Sequence, residues 1–416
     1  MPRRRSRCVD RRGLSGLSRG SGAALWRLGY RADSHVGSSV REYDGPRVRS
    51  GSCRWSSSTA SAELDLPSST RSRRSVSVSL EGLLRQVGDL DQSNERAFST
   101  LAVPGYQNFL VGKDSERRPC VLVAAPEYTG TPRAPIRLQN VDVRFALLCW
   151  VGKRGEGAQR RGRFTVVRCL SADPEMAKYF LSICETLIGL LGDNPGEGEV
   201  AVAVHRLVEI FRAVRDVPKS DVIGLFGEMF LIARSREPTR AVTAWRNDPT
   251  ASFDFSEADL LIDVKTTCRR VRIHRFSYEQ CNPPRGASVF IASVLTERCS
   301  GGTTIQALFD RIVDSVDVYP DLVLKVHEVV AGTLGKGRRA AMDLAFDEEL
   351  AESKLRFFDA HRIPAVRESL PASVSEVRFR VDLSCVNPVK NIELRRTDSV
   401  LMTVSRRDLT DSGWHE

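Results

Sequence analysis

Residues 253–267 read FDFSEADLLIDVKTT, and this stretch is the most informative in the chain. Asp254 stands before a short polar turn, and an apolar run then leads into Asp263-Val264-Lys265. Because strand side chains alternate between two faces, Asp263 and Lys265 are predicted to project from the same face. Two carboxylates and an ammonium group at one sheet edge make a good site for a hard divalent cation and a phosphate.

The interval between the two aspartates predicts a tight hairpin that turns at Ser256-Glu257. Asp259 is an alternative ligand, because it shares a predicted strand face with Asp263. The distance between them is roughly 13 Å along an extended strand, which is too far to share one ion easily. We therefore interpret Asp259 as a polar start of the strand.

Upstream, residues 224–233 read GLFGEMFLIA and predict a helix with Glu228 at the border of its buried stripe. Gly224 and Gly227 each cost a helix about 1 kcal/mol relative to Ala. Two such residues indicate that a strand or DNA approaches the helix closely. Glu228 is then either an ordinary solvated residue or a third site carboxylate, and the downstream Asp-x-Lys triplet favours the second interpretation.

These segments resemble the PD-(D/E)XK nuclease core, most closely that of the bacterial proteins called PD-(D/E)XK motif proteins. The resemblance runs from about Leu80 to about Ser384. Its blocks are GLFGEMFLIA at 224–233, AW at 244–245, FDF at 253–255, LIDVKTT at 261–267, YEQ at 278–280 and a weaker block at 363–384. Phe253 stands where a Pro usually precedes the first Asp of the motif.

The resemblance implies an α/β fold with a restriction-endonuclease-like αβββαβ core. It implies catalysis by Asp254, Asp263, Lys265, Glu228 and Gln280. Asp254, Asp263 and Glu228 would ligate Mg²⁺, for which Mn²⁺ can substitute. Lys265 would orient the attacking water and face the phosphate, and Gln280 would contact the substrate or Lys265.

Four arginines follow the Asp-x-Lys strand closely: Arg269, Arg270, Arg272 and Arg275. Arginine forks suit phosphate oxygens, so these side chains could grip a DNA backbone without reading its sequence. A solvated basic strand edge that discourages aggregation is the alternative. The sequence leaves both interpretations open.

The chain divides into four predicted regions. Residues 1–79 form a basic, Arg/Ser-rich segment expected to be disordered. Residues 80–172 form a β-rich N-terminal subdomain, residues 173–318 a helical entry plus the nuclease core, and residues 319–416 a mostly helical region with a final strand. The first segment is a nucleic-acid-binding arm, a transit peptide or a stretch ahead of the true start codon.

Several elements are predicted within these regions. Asp173 and Pro174 begin a helix that ends at Gly192, and Ser220-Asp221 caps a later one. Residues 241–245, AVTAW, predict a strand. Helical structure is expected within residues 340–360, and a strand in EVRFRVDLS at 376–384 closes the region of resemblance.

Three further patterns receive plain interpretations. Glu352-Ser353-Lys354 repeats the acid-x-Lys pattern in a polar stretch and is interpreted as a solvated helix face. Residues 332–337, GTLGKG, resemble a P-loop, but the spacing is short and no Ser or Thr follows Lys336. We interpret them as a basic loop, and His274 as a polar residue on a sheet face.

Composition narrows the class of protein. The chain has 416 residues, 41% of them apolar, which is enough for two or three domains. Its net charge of +10 is compatible with a polyanionic partner. The ten cysteines include no Cys-x-x-Cys pair, which favours core thiols in a reducing cytoplasm. No run approaches the roughly 18 apolar residues needed to span a bilayer, so no membrane partner is expected.

Our first hypothesis is a Mg²⁺-dependent DNA endonuclease. The resemblance implies a role in bacterial restriction or phage defence, beside methyltransferase and ATPase partners. Cleavage of two strands would favour a homodimer. The alternatives are a catalytically weak DNA-docking subunit of a larger defence complex and an RNA-directed nuclease.

Overall fold

The computed structural model describes residues 79–88, 96–125, 133–152, 160–214, 222–246, 252–283, 286–371, 373–397 and 399–402. Apart from Ser79, the segment predicted to be disordered at residues 1–79 lies outside these ranges. The helix cap predicted at Ser220-Asp221 also lies outside them. The described residues all belong to one unit of the chain, and the predicted domain boundaries stay predictions.

The first part of the described chain forms a closed sheet. Its elements are α1 (Leu80–Gln86), β1 (Ala97–Val103), β2 (Tyr106–Lys113), β3 (Pro119–Ala124), β4 (Ile136–Arg137), β5 (Val141–Gly152) and β6 (Arg160–Cys169). The strand order is β1-β2-β3-β6-β5-β4, and a parallel pairing of β1 with β5 closes the sheet. Apolar side chains lie on both faces of these strands, so one set fills the interior and the other packs outward. The strands expected between residues 80 and 172 are therefore present.

Two long helices pack on the outer face of this sheet, α2 (Pro174–Leu191) and α3 (Glu197–Ala213). Helix α2 begins where the sequence predicts, because the Asp173 side chain accepts a hydrogen bond from the Glu175 backbone N–H and Pro174 fits the first turn. It ends at Gly192, whose φ of 69° is a left-handed conformation that glycine adopts readily.

The rest of the described chain surrounds a four-stranded sheet. Its elements are α4 (Val222–Arg234), α5 (Pro238–Ala244), β7 (Phe255–Glu257), β8 (Leu260–Thr267), β9 (Ile273–Ser277), α6 (Tyr278–Cys281), β10 (Ser288–Leu295), β11 (Arg298–Thr304), α7 (Ile305–Ser315), α8 (Pro320–Leu334), α9 (Arg338–Met342), β12 (Ala345–Phe346), α10 (Glu348–Lys354), β13 (Arg356–Asp359), β14 (Arg378–Asp382) and α11 (Asn391–Arg396). The sheet order is β13-β10-β8-β7, with β8 antiparallel to β7 and parallel to β10. Strand β8 therefore lies inside the sheet, and the chain is a mixed α/β protein.

Helix α4 packs directly on β8 through Gly227. A Cβ atom at Gly227 would lie 1.8 Å from Thr266 Oγ1 and 3.1 Å from Val264 Cγ1, so only glycine permits this approach. The predicted close approach of a strand is confirmed at this glycine. Around Gly224, no described atom lies within 4 Å of the corresponding position.

Three local predictions differ from the structure. Residues 241–244 belong to helix α5 rather than to a strand, because Pro238 starts a helical turn there. The hairpin turns at Ala258-Asp259, two residues later than predicted, and Ala258 adopts a left-handed φ of 49°. Strand β9 pairs with β14 in a separate two-stranded sheet, so it does not extend the sheet that contains β8.

The region after α7 also departs from its prediction in part. Residues 332–337 are not a loop, because α8 continues to Leu334 and a 3-10 turn follows at Gly335–Gly337. Residues 356–359, expected to be helical, form β13 and pair with β10. Glu352 is not simply solvated, since it forms a 2.9 Å ion pair with Arg234. The predicted final strand is present as β14.

The eight cysteines within the described ranges are all free, and five of them are buried, in agreement with the predicted core thiols. Among the helices of the described residues, none has both the length and the apolarity that a membrane span requires.

Candidate active site

The site is centred on β8, where Asp263 and Lys265 lie on one face. Asp263 is 3% exposed. Two residues further on, Lys265 brings its Nζ to within 2.7 Å of Asp263 Oδ2. The same Nζ lies 5.5 Å from the centroid of the Phe276 ring, on strand β9. The alternation of a strand therefore produces the pair that the sequence predicts.

Asp254 joins this pair from the residue just before β7. Its Oδ2 accepts a 2.8 Å hydrogen bond from the backbone N–H of Val264, the residue between Asp263 and Lys265. Its backbone C=O accepts a 2.7 Å hydrogen bond from the Arg246 N–H. The Asp254 carboxylate thus takes a place in the β8 ladder that a strand carbonyl would otherwise fill.

Gln280, on α6, holds Asp263 from the other side. Its Oε1 accepts a hydrogen bond from the Ser277 N–H at 3.0 Å, which fixes the orientation of the carboxamide. Its Nε2 then donates to Asp263 Oδ1 at 2.6 Å and to the Ser252 C=O at 2.9 Å. Of the two predicted contacts, the amide does not make the one with Lys265, because it binds Asp263 instead, and the one with the substrate stays a prediction.

Glu228 lies on α4, 4% exposed, and is engaged by two side chains at the end of α5. Trp245 Nε1 donates to Oε2 at 2.6 Å. Arg246 donates from Nε to Oε2 at 2.9 Å and from Nη2 to Oε1 at 2.6 Å. The same guanidinium reaches Thr333 Oγ1 of α8 at 2.9 Å. Glu228 is therefore a buried, fully paired carboxylate rather than a solvated one.

Burial raises the pKa values of the three carboxyl groups, and repulsion from Asp254 adds to the rise at Glu228 and Asp263. Burial, followed by repulsion from Asp254, raises the pKa of Glu228 to about 7, although Arg246 and Trp245 oppose the rise. Burial raises the pKa of Asp263 to about 7, against the attraction of Lys265. The pKa of Asp254 is also raised by burial, while the Val264 N–H opposes the shift. The charge of Asp254 thus acts on both of the other carboxyl groups, which indicates that the three share one electrostatic site.

The donor chemistry fits a hard divalent cation at Asp254 and Asp263 but not at Glu228. Oδ2 of Asp263 is buried and, beside the lysine contact, accepts no aligned hydrogen bond from any described donor. Both oxygens of Glu228 are taken by Trp245 and Arg246. In the described part of the chain, no three His, Cys, Asp or Glu side chains are arranged to hold a metal ion. A cation here would use two carboxylates plus water and substrate oxygens, as Mg²⁺ commonly does.

The four arginines after β8 occupy different environments. Arg269 and Arg275 are exposed, and Arg270 has 93% of its side chain exposed. Arg272 turns inward, and its Nη1 donates to the C=O and Oγ of Ser293 at 3.0 and 2.7 Å. Burial, with a smaller repulsion from a neighbouring arginine, lowers the pKa of Arg272 to about 10. Its guanidinium is thus engaged by the protein itself.

An open cleft of about 440 Å³ borders the site. Lys265, Arg275, Gln280 and Arg378 line it. His274, on the strand beside the cleft, is buried, and its Nε2 lies 2.8 Å from Ser293 Oγ, which agrees with its interpretation as a polar sheet residue. The cleft therefore leads from solvent to the lysine of the site.

Sequence reasoning does not identify Trp245 and Arg246 as parts of the site. Ala244-Trp245 is one of the blocks that carry the resemblance, and Arg246 follows it directly, which is the one signal available. Their role depends on the bridge that pairs Trp245 with Phe255, and pairings of that kind are not visible in a periodicity.

The fold and the site first define a class, a mixed α/β protein whose sheet carries an Asp…Asp-x-Lys set of the PD-(D/E)XK type. Residues 81–384 match the sequence model of the family described as "Putative PD-(D/E)XK family member, (DUF4420)". The match covers well over half of the chain, and the protein belongs to this family. The resemblance drawn from the sequence is confirmed. No curated protein and no solved structure matches the chain.

Proposed function

We propose that this protein is a divalent-cation-dependent endonuclease that hydrolyses phosphodiester bonds of DNA. One observation carries the proposal: Asp254, Asp263 and Lys265 converge where β7 meets β8, beside an open cleft. Family membership supports a nuclease-type chemistry. We assign the sheet around β8, with its flanking helices, as a restriction-endonuclease-like core.

Asp254 and Asp263 would hold Mg²⁺, with Mn²⁺ as a substitute. When bound, the cation would stabilise the negative charge that develops on the phosphate and assist deprotonation of water. Lys265 lies beside Asp263 and next to the cleft, where its ammonium would orient a water and face a phosphate oxygen. Gln280 fixes the direction of Asp263 by binding one of its two oxygens.

Glu228 supports this set without being a direct ligand. Arg246 binds its carboxylate with two donors and binds the Asp254 backbone through its own N–H. The pair thus connects α4 to the residue that presents the Asp254 carboxylate. We assign Glu228 and Arg246 as positioning residues.

The DNA backbone would lie against the exposed arginines that follow β8. Arg269, Arg270 and Arg275 present guanidinium groups to solvent, and Arg275 also lines the cleft. Such contacts would contribute salt-dependent affinity without sequence selection. Arg272 would not contact the DNA, because its guanidinium already donates to Ser293.

The biological setting follows from the resemblance alone. We propose a cytoplasmic role in bacterial restriction or phage defence, with methyltransferase and ATPase partners and a homodimer for cleavage of both strands. Purification from its native host, followed by identification of bound chains, tests this setting. Recovery of a monomer with neither kind of partner would contradict it.

Plasmid nicking tests the activity. Purified protein is incubated with supercoiled plasmid and Mg²⁺ or Mn²⁺, beside the variants Asp263→Asn and Lys265→Ala. We expect nicking by the wild type and a reduction of roughly 100-fold or more in each variant, the range typical of removing a charge-stabilising group. Asp259→Asn is the matched control, because this exposed aspartate lies in the same hairpin.

Equal nicking by all variants would point to a contaminant and remove the assignment of these residues. Cleavage of RNA while DNA stays intact would contradict DNA as the substrate and would still support phosphodiester hydrolysis. Retained DNA binding without cleavage, with either cation, would favour the second candidate, a catalytically weak DNA-docking subunit. The pairing of Glu228 with Arg246 favours that candidate, since it leaves two carboxylates for a metal.

A further inference from the structure

The closed N-terminal sheet has an open end that is lined by charge. Strands β1, β3 and β5 begin at this end, and β2 and β6 finish there. A cleft of about 380 Å³ lies at this end, within the size range of ligand sites. Five arginines and three carboxylates line it, so the cleft carries two net positive charges. The arginines are Arg96, Arg118, Arg137, Arg144 and Arg168.

Two of the carboxylates lie deeper than most of the arginines. The side chains of Asp114 and Asp142 are 2% and 7% exposed. Arg144 Nε lies 3.2 Å from Asp142 Oδ2, and Arg168 Nη1 lies 3.1 Å from the same oxygen. Arg137 Nε lies 3.4 Å from Asp142 Oδ1. One buried carboxylate therefore holds three guanidinium groups in fixed positions.

The sheet explains why these side chains meet. Asp142 of β5 lies directly opposite Arg168 of β6, and Arg137 of β4 lies opposite Asp142 on its other side. Arg168 also stacks over the ring of Phe98, with its Cζ 5.1 Å from the ring centroid, so its side chain covers the apolar interior of the sheet. The outer arginines are more accessible, with 31% of the Arg144 side chain and 68% of the Arg137 side chain exposed.

We propose that this open end binds the phosphate groups of a nucleic-acid backbone. Asp114 also pairs with Arg118 and Arg168, at 2.7 and 3.7 Å, yet the five arginines of the cleft still outnumber its three carboxylates. Guanidinium groups crowded in this way repel each other, and an anion bound in front of them relieves that repulsion. Arginine forks match phosphate oxygens. Among the described residues that line the cleft, the apolar ones are Leu147 and Leu170 and none is aromatic. The cleft offers no stacking platform for a base, which favours a backbone phosphate over a nucleotide.

The identity of the phosphate's carrier rests on the proposed function, because DNA is the substrate inferred for the nuclease site. The arginine cleft would then be a second, sequence-independent binding surface for the same DNA. It would add affinity and positioning, and the chemistry would stay at β8.

Salt-dependent binding of a fluorescent DNA duplex tests the inference, with no divalent cation present so that nothing is cut. The test protein is the full chain carrying Asp263→Asn, with Arg137→Ala and Arg144→Ala added singly and together. We expect the slope of log affinity against log salt to become shallower by about 0.9 for each phosphate that a variant no longer neutralises. Arg144→Lys keeps the charge but removes the fork, so its slope should stay closer to that of the parent.

Arg212→Ala is the matched control, because Arg212 is an exposed helical arginine paired with Glu209. The thermal midpoint of each variant is recorded. Because Arg137 lies at the rim of the cleft with 68% of its side chain exposed, we expect Arg137→Ala to change the stability of the fold little. A slope unchanged in the double variant, or changed as much by Arg212→Ala, overturns the inference. The inference is also overturned if inorganic phosphate or ADP binds the cleft while the affinity for the duplex is unchanged by both arginine substitutions. That result would favour a small-anion site.

These outcomes separate the two proposals. If the wild type does not nick DNA but the arginine variants show a shallower salt slope, the DNA-binding cleft is supported and the nuclease activity is rejected. If the wild type nicks DNA but the salt slope is the same with and without the Arg137 and Arg144 substitutions, the nuclease activity is supported and the DNA-binding cleft is rejected.

Discussion

Replacing Arg246 with methionine is expected to destabilise the protein by about 3–5 kcal/mol, the usual effect of removing one partner from a buried ion pair. Arg246 gives Glu228 two charge-assisted hydrogen bonds, at 2.9 and 2.6 Å. Methionine keeps the aliphatic length and donates neither. It also keeps the backbone strain of the left-handed φ of 42° at this position, so the strain does not contribute to the difference.

Glu228 limits how large the effect can become. Burial raises the pKa of Glu228 to about 7, although Arg246 opposes the rise. Removal of Arg246 therefore shifts the pKa of Glu228 further upward. At neutral pH the variant would bury a protonated Glu228, with the Trp245 hydrogen bond still in place. The double variant Glu228→Gln/Arg246→Met has neither charge of this pair, and we expect it to be more stable than the sum of the two single changes predicts.

Urea denaturation at pH 7, read from the transition midpoint and slope, measures these differences. Arg240→Met is the matched control, because Arg240 lies on α5, six residues before Arg246. Its side chain is 45% exposed and forms ion pairs at 3.4 and 3.5 Å. We expect it to change stability by less than about 1 kcal/mol. A decrease below about 1 kcal/mol for Arg246→Met, or strict additivity in the double variant, would refute the reasoning.

Three further changes separate packing, protonation and site geometry. Gly227→Ala should destabilise by about 1–3 kcal/mol through overpacking against β8, whereas Gly224→Ala, which meets open space, should stabilise by up to about 1 kcal/mol; the two thermal midpoints should move in opposite directions. Burial lowers the pKa of His327 to about 3. Because the unfolded chain then binds a proton that the folded protein does not, the folded state loses stability as pH falls below the unfolded pKa near 6.5. The variant His327→Phe should therefore show a weaker decrease of thermal midpoint between about pH 6.5 and 4. Gln280→Leu removes the donor 2.6 Å from Asp263 and should reduce nicking about 10–100-fold with little change in the far-ultraviolet circular dichroism spectrum; full activity would show that Asp263 needs no such support.

The parts of the site that follow from local periodicity are predictable from the sequence. Asp263 and Lys265 share a face because strand side chains alternate, and Gly227 marks a close approach because a helix tolerates glycine poorly. The Asp254 hydrogen bond with Val264 does not follow from the predicted turn at Ser256-Glu257, which would place Asp254 opposite Asp259; it depends on the observed turn two residues later.

Other parts depend on interactions between segments that are far apart in the chain. Strand β9 has a period typical of any strand, and its pairing with β14, about a hundred residues later, leaves no mark on its own sequence. Helix α5 carries the β-branched residues Val242 and Thr243, which favour a strand, but Pro238 and the burial of Ala241 and Val242 against the core favour a helix. Arg246 becomes a site residue only because α5 ends beside Glu228.

The charges at the site explain why a cation and a phosphate would complete it together. Glu228, Asp254 and Asp263 supply three negative charges when ionised, and Arg246 and Lys265 supply two positive charges. Without a cation, burial raises the carboxyl pKa values, and proton uptake near neutral pH would replace the missing positive charge. One divalent cation would displace that proton and leave a single positive charge, which one phosphodiester neutralises. A second cation would leave the buried site with excess positive charge, so a measured stoichiometry of two would contradict the assignment of Arg246 as a permanent partner of Glu228.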